Sequence, residues 1–152
     1  MRKIILIDDD YAKGWDVIFS MIFKDVYGDL ITFECLKDID DESIDLCYKN
    51  NLDALFIQDN QLSHDQTVKP GIYWVEKYAK THAIVMHTSD GANFAFAAAK
   101  LGALMFMRKD NPEAPMTNSE MKKMIVEFHK VIIKHFELTP ELIWIVYDKF
   151  QI

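Results

Sequence analysis

The sequence predicts an α/β domain in which a parallel sheet is covered on both faces by helices, and three observations predict it. Short, almost wholly apolar runs such as Ile4-Ile5-Leu6-Ile7 and Ala54-Leu55-Phe56-Ile57 have the length of strands buried on both sides. Longer segments with apolar residues at helical spacing separate them. Strand-like and helix-like segments alternate throughout the chain, which implies right-handed βαβ crossovers. At 152 residues, half of them hydrophobic and 27% charged, the chain reads as one globular domain with material for a proper core.

Each element follows from local pattern. The first strand runs from Lys3 into the carboxylates Asp8-Asp9-Asp10. Residues 11 to 27 form a helix, with Trp15, Ile18, Met21 and Ile22 at helical spacing and Gly28 closing it. Ile31 to Leu36 alternates loosely and reads as the second strand. Residues 39 to 50 set Ile44, Cys47 and Tyr48 on a helix face. The third strand spans Leu52 to Asp59, and a polar loop follows to Pro70-Gly71. Ile72, Val75 and Ala79 mark the third helix face, and His82 to His87 is a fourth strand delivering Thr88 and Ser89. Asn93 to Leu101 is helical with Gly102 as its C-cap, and Ala103 to Met107 is a fifth strand leading to Lys109. Thr117-Asn118-Ser119-Glu120 has capping-box spacing ahead of one apolar stripe: Met121, Met124, Ile125, Phe128, Ile132 and Phe136. Thr139-Pro140-Glu141 then restarts a helix with Pro at its first position. Leu142 to Ile152 is apolar on nearly every side, so it must be buried by folding back or in a partner.

Composition narrows the function. A formal charge of -7 and no basic patch argue against a nucleic acid or an anionic membrane as partner. Cys35 and Cys47 lack metal-ligand spacing and fit reduced thiols. The N-terminus does not have the pattern of a signal peptide, and no stretch has the ~20 apolar residues of a membrane span, so a cytoplasmic location is expected.

The chemistry gathers at one place. Ligands of open parallel sheets sit at the carboxyl ends of the strands. The apolar strands here end on Asp8, Asp9 and Asp10, then Asp59, then Thr88 and Ser89, then Lys109. The acids are hard oxygen ligands suited to Mg²⁺, and a hydroxyl with an ammonium suits the remaining oxygens of a phosphoryl group. Alone, the aspartates read as a helix cap, Thr88 as a hydroxyl bonded to backbone, Phe106 as core and Lys109 as a solvated lysine. Their shared edge turns them into a candidate site for placing phosphate on a carboxylate.

With "LIDDD", "ALFIQDNQL", "IVMHTS" and "LGALMFMRK" in this order, the sequence resembles the receiver domains of two-component response regulators over roughly residues 2 to 137. The resemblance implies a flavodoxin-like (βα)₅ fold with strand order 2-1-3-4-5, a receiver over 1–137 and a helical extension over 138–152. It makes Asp8 and Asp9 the acidic Mg²⁺ pocket, Asp59 the phosphoacceptor and Gln61 a backbone-carbonyl ligand. Thr88 becomes the switch hydroxyl, Lys109 the phosphate-contacting lysine, and Phe106 the aromatic that changes rotamer with Thr88. The implied partners are a histidine kinase or phosphotransfer protein and a downstream protein target. The implied catalysis is limited to self-phosphorylation from phosphohistidine and autodephosphorylation.

The Phe94–Ala99 segment would lie on the output face, where a second subunit can approach. Counting from Asp53 in the commonest family pattern places Gln58 at the acceptor position, whereas Leu62, an apolar residue three past the acceptor, favours Asp59. Ser63 and Asp110 stand where the family usually has prolines.

Two other classes stay open. One is a phosphorylation-incompetent pseudo-receiver serving as an interaction module through its C-terminal helix. The other is a haloacid-dehalogenase-like phosphatase, from the D-x-D spacing of Asp8 and Asp10, although that family's later acidic pair is missing.

Overall fold

A computed structural model describes residues 2–9, 14–62, 67–89, 92–109 and 113–152. The elements are β1 (Lys3–Ile7), α1 (Trp15–Tyr27), β2 (Thr32–Cys35), α2 (Asp41–Asn50), β3 (Leu55–Gln58) and α3 (Gly71–Tyr78). They continue as β4 (Ala83–Thr88), α4 (Ala92–Lys100), β5 (Met105–Arg108), α5 (Asn118–His135) and α6 (Leu142–Phe150). All strand pairs are parallel, in the order β2-β1-β3-β4-β5. This is the flavodoxin-like order that the resemblance implied.

The continuous apolar runs are explained by burial on two sides. Ile4 and Leu6 of β1 join one cluster with Phe19, Phe23 and Val26 of α1 and Phe128 and Ile132 of α5. Their neighbours Ile5 and Ile7 face the opposite way, into a second cluster with Ile44 and Tyr48 of α2 and Trp74 and Val75 of α3. A strand with alternate residues in two cores has no place for a polar side chain until it reaches its end. Capping agrees with the local signals: Thr117 Oγ1 accepts the Glu120 amide at 3.1 Å, and Asp40 accepts that of Ser43 at 2.8 Å. Gly102 adopts a φ of 106° just past α4, where a side chain would be strained.

The structure corrects two packing expectations and extends a third. The core face of α1 is Phe19, Phe23, Val26 and Tyr27, whereas Ile18 and Met21 are exposed. Two apolar stripes compete on this helix, and the sheet takes the one with the larger aromatic area. For α3 the expected face meets the core: Val75 is buried, Ile72 and Ala79 are half-buried against the same cluster, and Trp74 and Tyr78 complete it. The last helix folds back on α5 and α1 and buries Val146, but Trp144 on its outer side is 65% exposed. One face of a nine-residue helix suffices to seal the core, so its remaining apolar side chains meet solvent. Leu138 and Val146 belong to the same cluster as α1 and α5, so residues 138–152 share the core of the rest. Cys35 and Cys47 are free and half-buried. Among the described residues, no helix is long and apolar enough to cross a membrane.

Candidate phosphoryl-acceptor site

The site lies at the carboxyl ends of β1, β3, β4 and β5. Asp8 directly follows β1 and Asp59 directly follows β3, and the register Ile7↔Gln58 brings the two side by side. The Asp59 amide donates to the Ile7 carbonyl at 2.9 Å, extending this pairing by one residue. Asp8 is 3% exposed, Asp59 4% and Lys109 5%. Lys109 Nζ lies 2.9 Å from Asp8 Oδ2 and 3.4 Å from Asp59 Oδ2. One carboxylate oxygen from each of Asp8, Asp9 and Asp59 falls within 4.8 Å of the others.

Electrostatics follow from this crowding. Burial and then the Asp8 carboxylate push the Asp59 carboxyl up to about 7, against the pull of Lys109 and the Asn60 amide. Burial alone would push the Lys109 ammonium down, but Asp59 and Asp8 outweigh it and leave its pKa above the ordinary lysine value. Three acids and one amine leave an uncompensated negative charge at the rim, which a divalent cation would neutralise. Six-coordinate Mg²⁺ with bonds of about 2.0–2.1 Å places its ligands roughly 3–4 Å apart, so a donor set within 4.8 Å fits after small movements.

The backbone around Asp59 is held from two directions, by residues to which the sequence had assigned no such role. Asn60 donates its amide to Asp59 Oδ1 at 2.8 Å and accepts the Ile72 amide on its own Oδ1 at 3.0 Å. The Gly71 amide donates to the Asn60 carbonyl at 2.8 Å, which ties the first turn of α3 to the Asp59–Asn60 segment. From the other side, Tyr48 donates its hydroxyl to Gln58 Oε1 at 2.6 Å, and Gln58 Nε2 donates to the Asp59 carbonyl at 2.9 Å. Gln58 is thus fully buried on the α2–α3 face and points away from the acids. The Gly71 requirement was visible only as a Pro-Gly break, and nothing local marked Asn60.

Thr88 is 1% exposed at the end of β4, and its carbonyl accepts the Lys109 amide at 2.9 Å. Phe106 sits one strand over, on the same sheet face by alternation, with its ring 6.1 Å from that of Phe94. Leu62 is buried, and Gln61 is exposed in the loop after Asn60. Asp10, Ser63 and Asp110 lie outside the described residues.

Comparison with solved structures places this geometry in a known class of fold. The chain is similar to the non-phosphorylated receiver domain of HemR from Leptospira biflexa, with a TM-score of 0.59 and 22% identity, covering 87% of this chain and 94% of that one. A response regulator receiver domain protein from Clostridium thermocellum gives a TM-score of 0.58 at 18% identity over 90% and 95% of the two chains. The response regulator domain of Thermotoga maritima CheB gives 0.56 at 17% identity over 92% and 99%. No family model matches the sequence, and no curated relative does either. The chain therefore has the fold of response-regulator receiver domains, with an acidic cluster at the carboxyl edge of its sheet.

Proposed function

We propose that this protein is a phosphoacceptor receiver of a two-component system that works in the cytoplasm, with residues 1–137 as the receiver and 138–152 as a helical extension sealing its core. The observation that carries the reading is the placement of Asp59 beside Asp8, Asp9 and Lys109, all deeply buried except the half-buried Asp9. An Asp59 oxygen attacks the phosphorus of a phosphohistidine. The P–N bond breaks, and the departing imidazole nitrogen keeps the electron pair and takes up a proton. Lys109 neutralises phosphoryl oxygens as charge shifts onto them. Asp8, Asp9, Asp59 and the Gln61 carbonyl are the residues that would hold Mg²⁺, and the bound ion supplies charge neutralisation for the phosphoryl oxygens.

The new acyl phosphate brings about -1.5 to -2 charge and three acceptor oxygens to a buried rim. In this reading Thr88 donates to one of them, and Phe106 moves into the space it leaves. That change reaches the α4 face, where Phe96 is exposed, as the contact for a downstream protein or a second copy of the chain. Intact mass after incubation with acetyl phosphate and Mg²⁺ tests the proposal. The expected result is a gain of one phosphoryl group that Asp59→Asn abolishes; no gain, or a gain that survives the substitution, would overturn it.

The second reading, a pseudo-receiver that binds partners without phosphorylation, draws on the exposed Trp144 of α6. A protein that neither takes phosphate nor releases heat on Mg²⁺ titration would favour it.

A further inference from the structure

On the α1–α5 side of the sheet, a cavity of about 210 Å³ lies between Trp15 and Phe19 of α1, His87 of β4, Arg108 of β5 and Met124 and Phe128 of α5. Its walls are mostly apolar. Trp15 Nε1, His87 Nδ1 and Arg108 Nη2 are buried without a hydrogen-bond partner, and all three residues line this cavity. Buried donors left unpaired are costly, a guanidinium nitrogen most of all. The Trp15 and Phe19 rings stand edge-on to the His87 ring, with centroids 4.6 and 5.2 Å away, so the imidazole is fixed against α1.

We propose that this cavity is a binding site for a small aromatic monocarboxylate. Size and chemistry select that class. A cavity of about 150 Å³ takes benzene, so 210 Å³ has space for one ring and a short polar arm. Indole and guanidinium nitrogens can only donate, and a neutral imidazole donates from one nitrogen, so the arm must accept. A carboxylate accepts from several donors at once, and its charge is matched by Arg108. The thioethers and rings of Met124 and Phe128 then cover the ligand's ring. The cavity lies on the α1–α5 side of the sheet, where His87 and Arg108 directly precede Thr88 and Lys109 of the acidic rim, and the proposal rests on the cavity's own lining and needs no phosphate chemistry.

Benzoate and toluene are the probes, titrated into the intact protein while the Trp15 indole N–H resonance is followed by NMR, assigned with Trp15→Phe. The expected result is a saturable benzoate-dependent shift, with toluene at least about tenfold weaker. Arg108→Met should weaken benzoate by about tenfold or more and leave toluene unchanged. Met124→Trp, which fills the cavity, should abolish both. If that variant does not fold, the benzoate-to-toluene ratio and the Arg108→Met titration still decide. No saturable shift, equal affinity for toluene, or benzoate binding indifferent to Arg108→Met would each overturn the proposal.

Discussion

A β-carbon on Gly71 would stand 2.0 Å from the carbonyl oxygen of Asp59. The first turn of α3 therefore packs directly on the backbone of the candidate acceptor, with no space for any side chain between them. Gly71→Ala must push α3 and the Asp59–Asn60 segment apart. We expect a loss of about 1–3 kcal/mol in urea denaturation and weaker Mg²⁺ binding by calorimetry. Unchanged Mg²⁺ affinity would mean that α3 does not position the site.

Asp59 is held up to about 7 by burial and by Asp8, so the folded protein binds this proton more tightly than the unfolded chain does. Its contribution to stability is present at low pH and is lost as pH rises from about 4 to about 7. Asp59→Asn removes a buried like charge, and should raise the unfolding midpoint of the Mg²⁺-free protein at pH 8. Mg²⁺ affinity of the native protein should climb with pH until about 7, because the ion competes with this proton. Both are measured by urea unfolding and calorimetry across a pH series.

His87 and His129 act with the opposite sign. Burial, aided at His87 by Lys109, depresses them to about 3 and about 4. Their stabilisation is complete above about 6.5 and is lost on acidification. Near pH 5 unfolding takes up about two protons at these imidazoles and releases about one from Asp59. Their joint contribution therefore makes stability rise by about 1.4 kcal/mol per pH unit there, and Asp59→Asn should about double that contribution. An unchanged slope in the variant would show that Asp59 holds no extra proton in the folded state.

Lys109 is the cation that makes two buried acids tolerable. Lys109→Met leaves the buried Asp8 and Asp59 facing each other without this ammonium between them, and should cost about 3–5 kcal/mol. Added Mg²⁺ should recover part of that loss, since it replaces the missing positive charge. Thermal unfolding with and without the ion measures both effects.

Truncation after Glu137 removes Leu138 and Val146 from the shared core cluster. Each such side chain contributes about 1.5–3 kcal/mol when fully buried, so the shortened chain should lose several kcal/mol and expose apolar surface to a hydrophobic dye. If instead it keeps its unfolding midpoint, α6 is an appendage, and the core closes without it.

The strands and their ends were legible because a doubly covered parallel sheet leaves a plain mark: apolar runs that stop where the chain leaves the sheet. That mark puts Asp8, Asp59, Thr88 and Lys109 at one edge of the sheet from the order of residues alone. Helix orientation was less legible. In α1, one face carries Ile18 and Met21 and another Phe19 and Phe23; periodicity finds both stripes and does not choose between them.

By itself the sequence determined the alternation of elements, the rim on which the acids, hydroxyl and amine gather, and the Thr117 cap of α5, since these follow from side-chain type and local spacing. Pro140, expected as the first residue of the last helix, instead lies in the turn before α6, which starts at Leu142. Tertiary structure alone decided that Gln58 turns inward to Tyr48 while Asp59 faces Asp8 and Lys109. Adjacent strand-end residues point to opposite faces, so a one-residue register shift exchanges them. Only pairing with the neighbouring strand fixes that register, and that pairing joins residues some fifty positions apart.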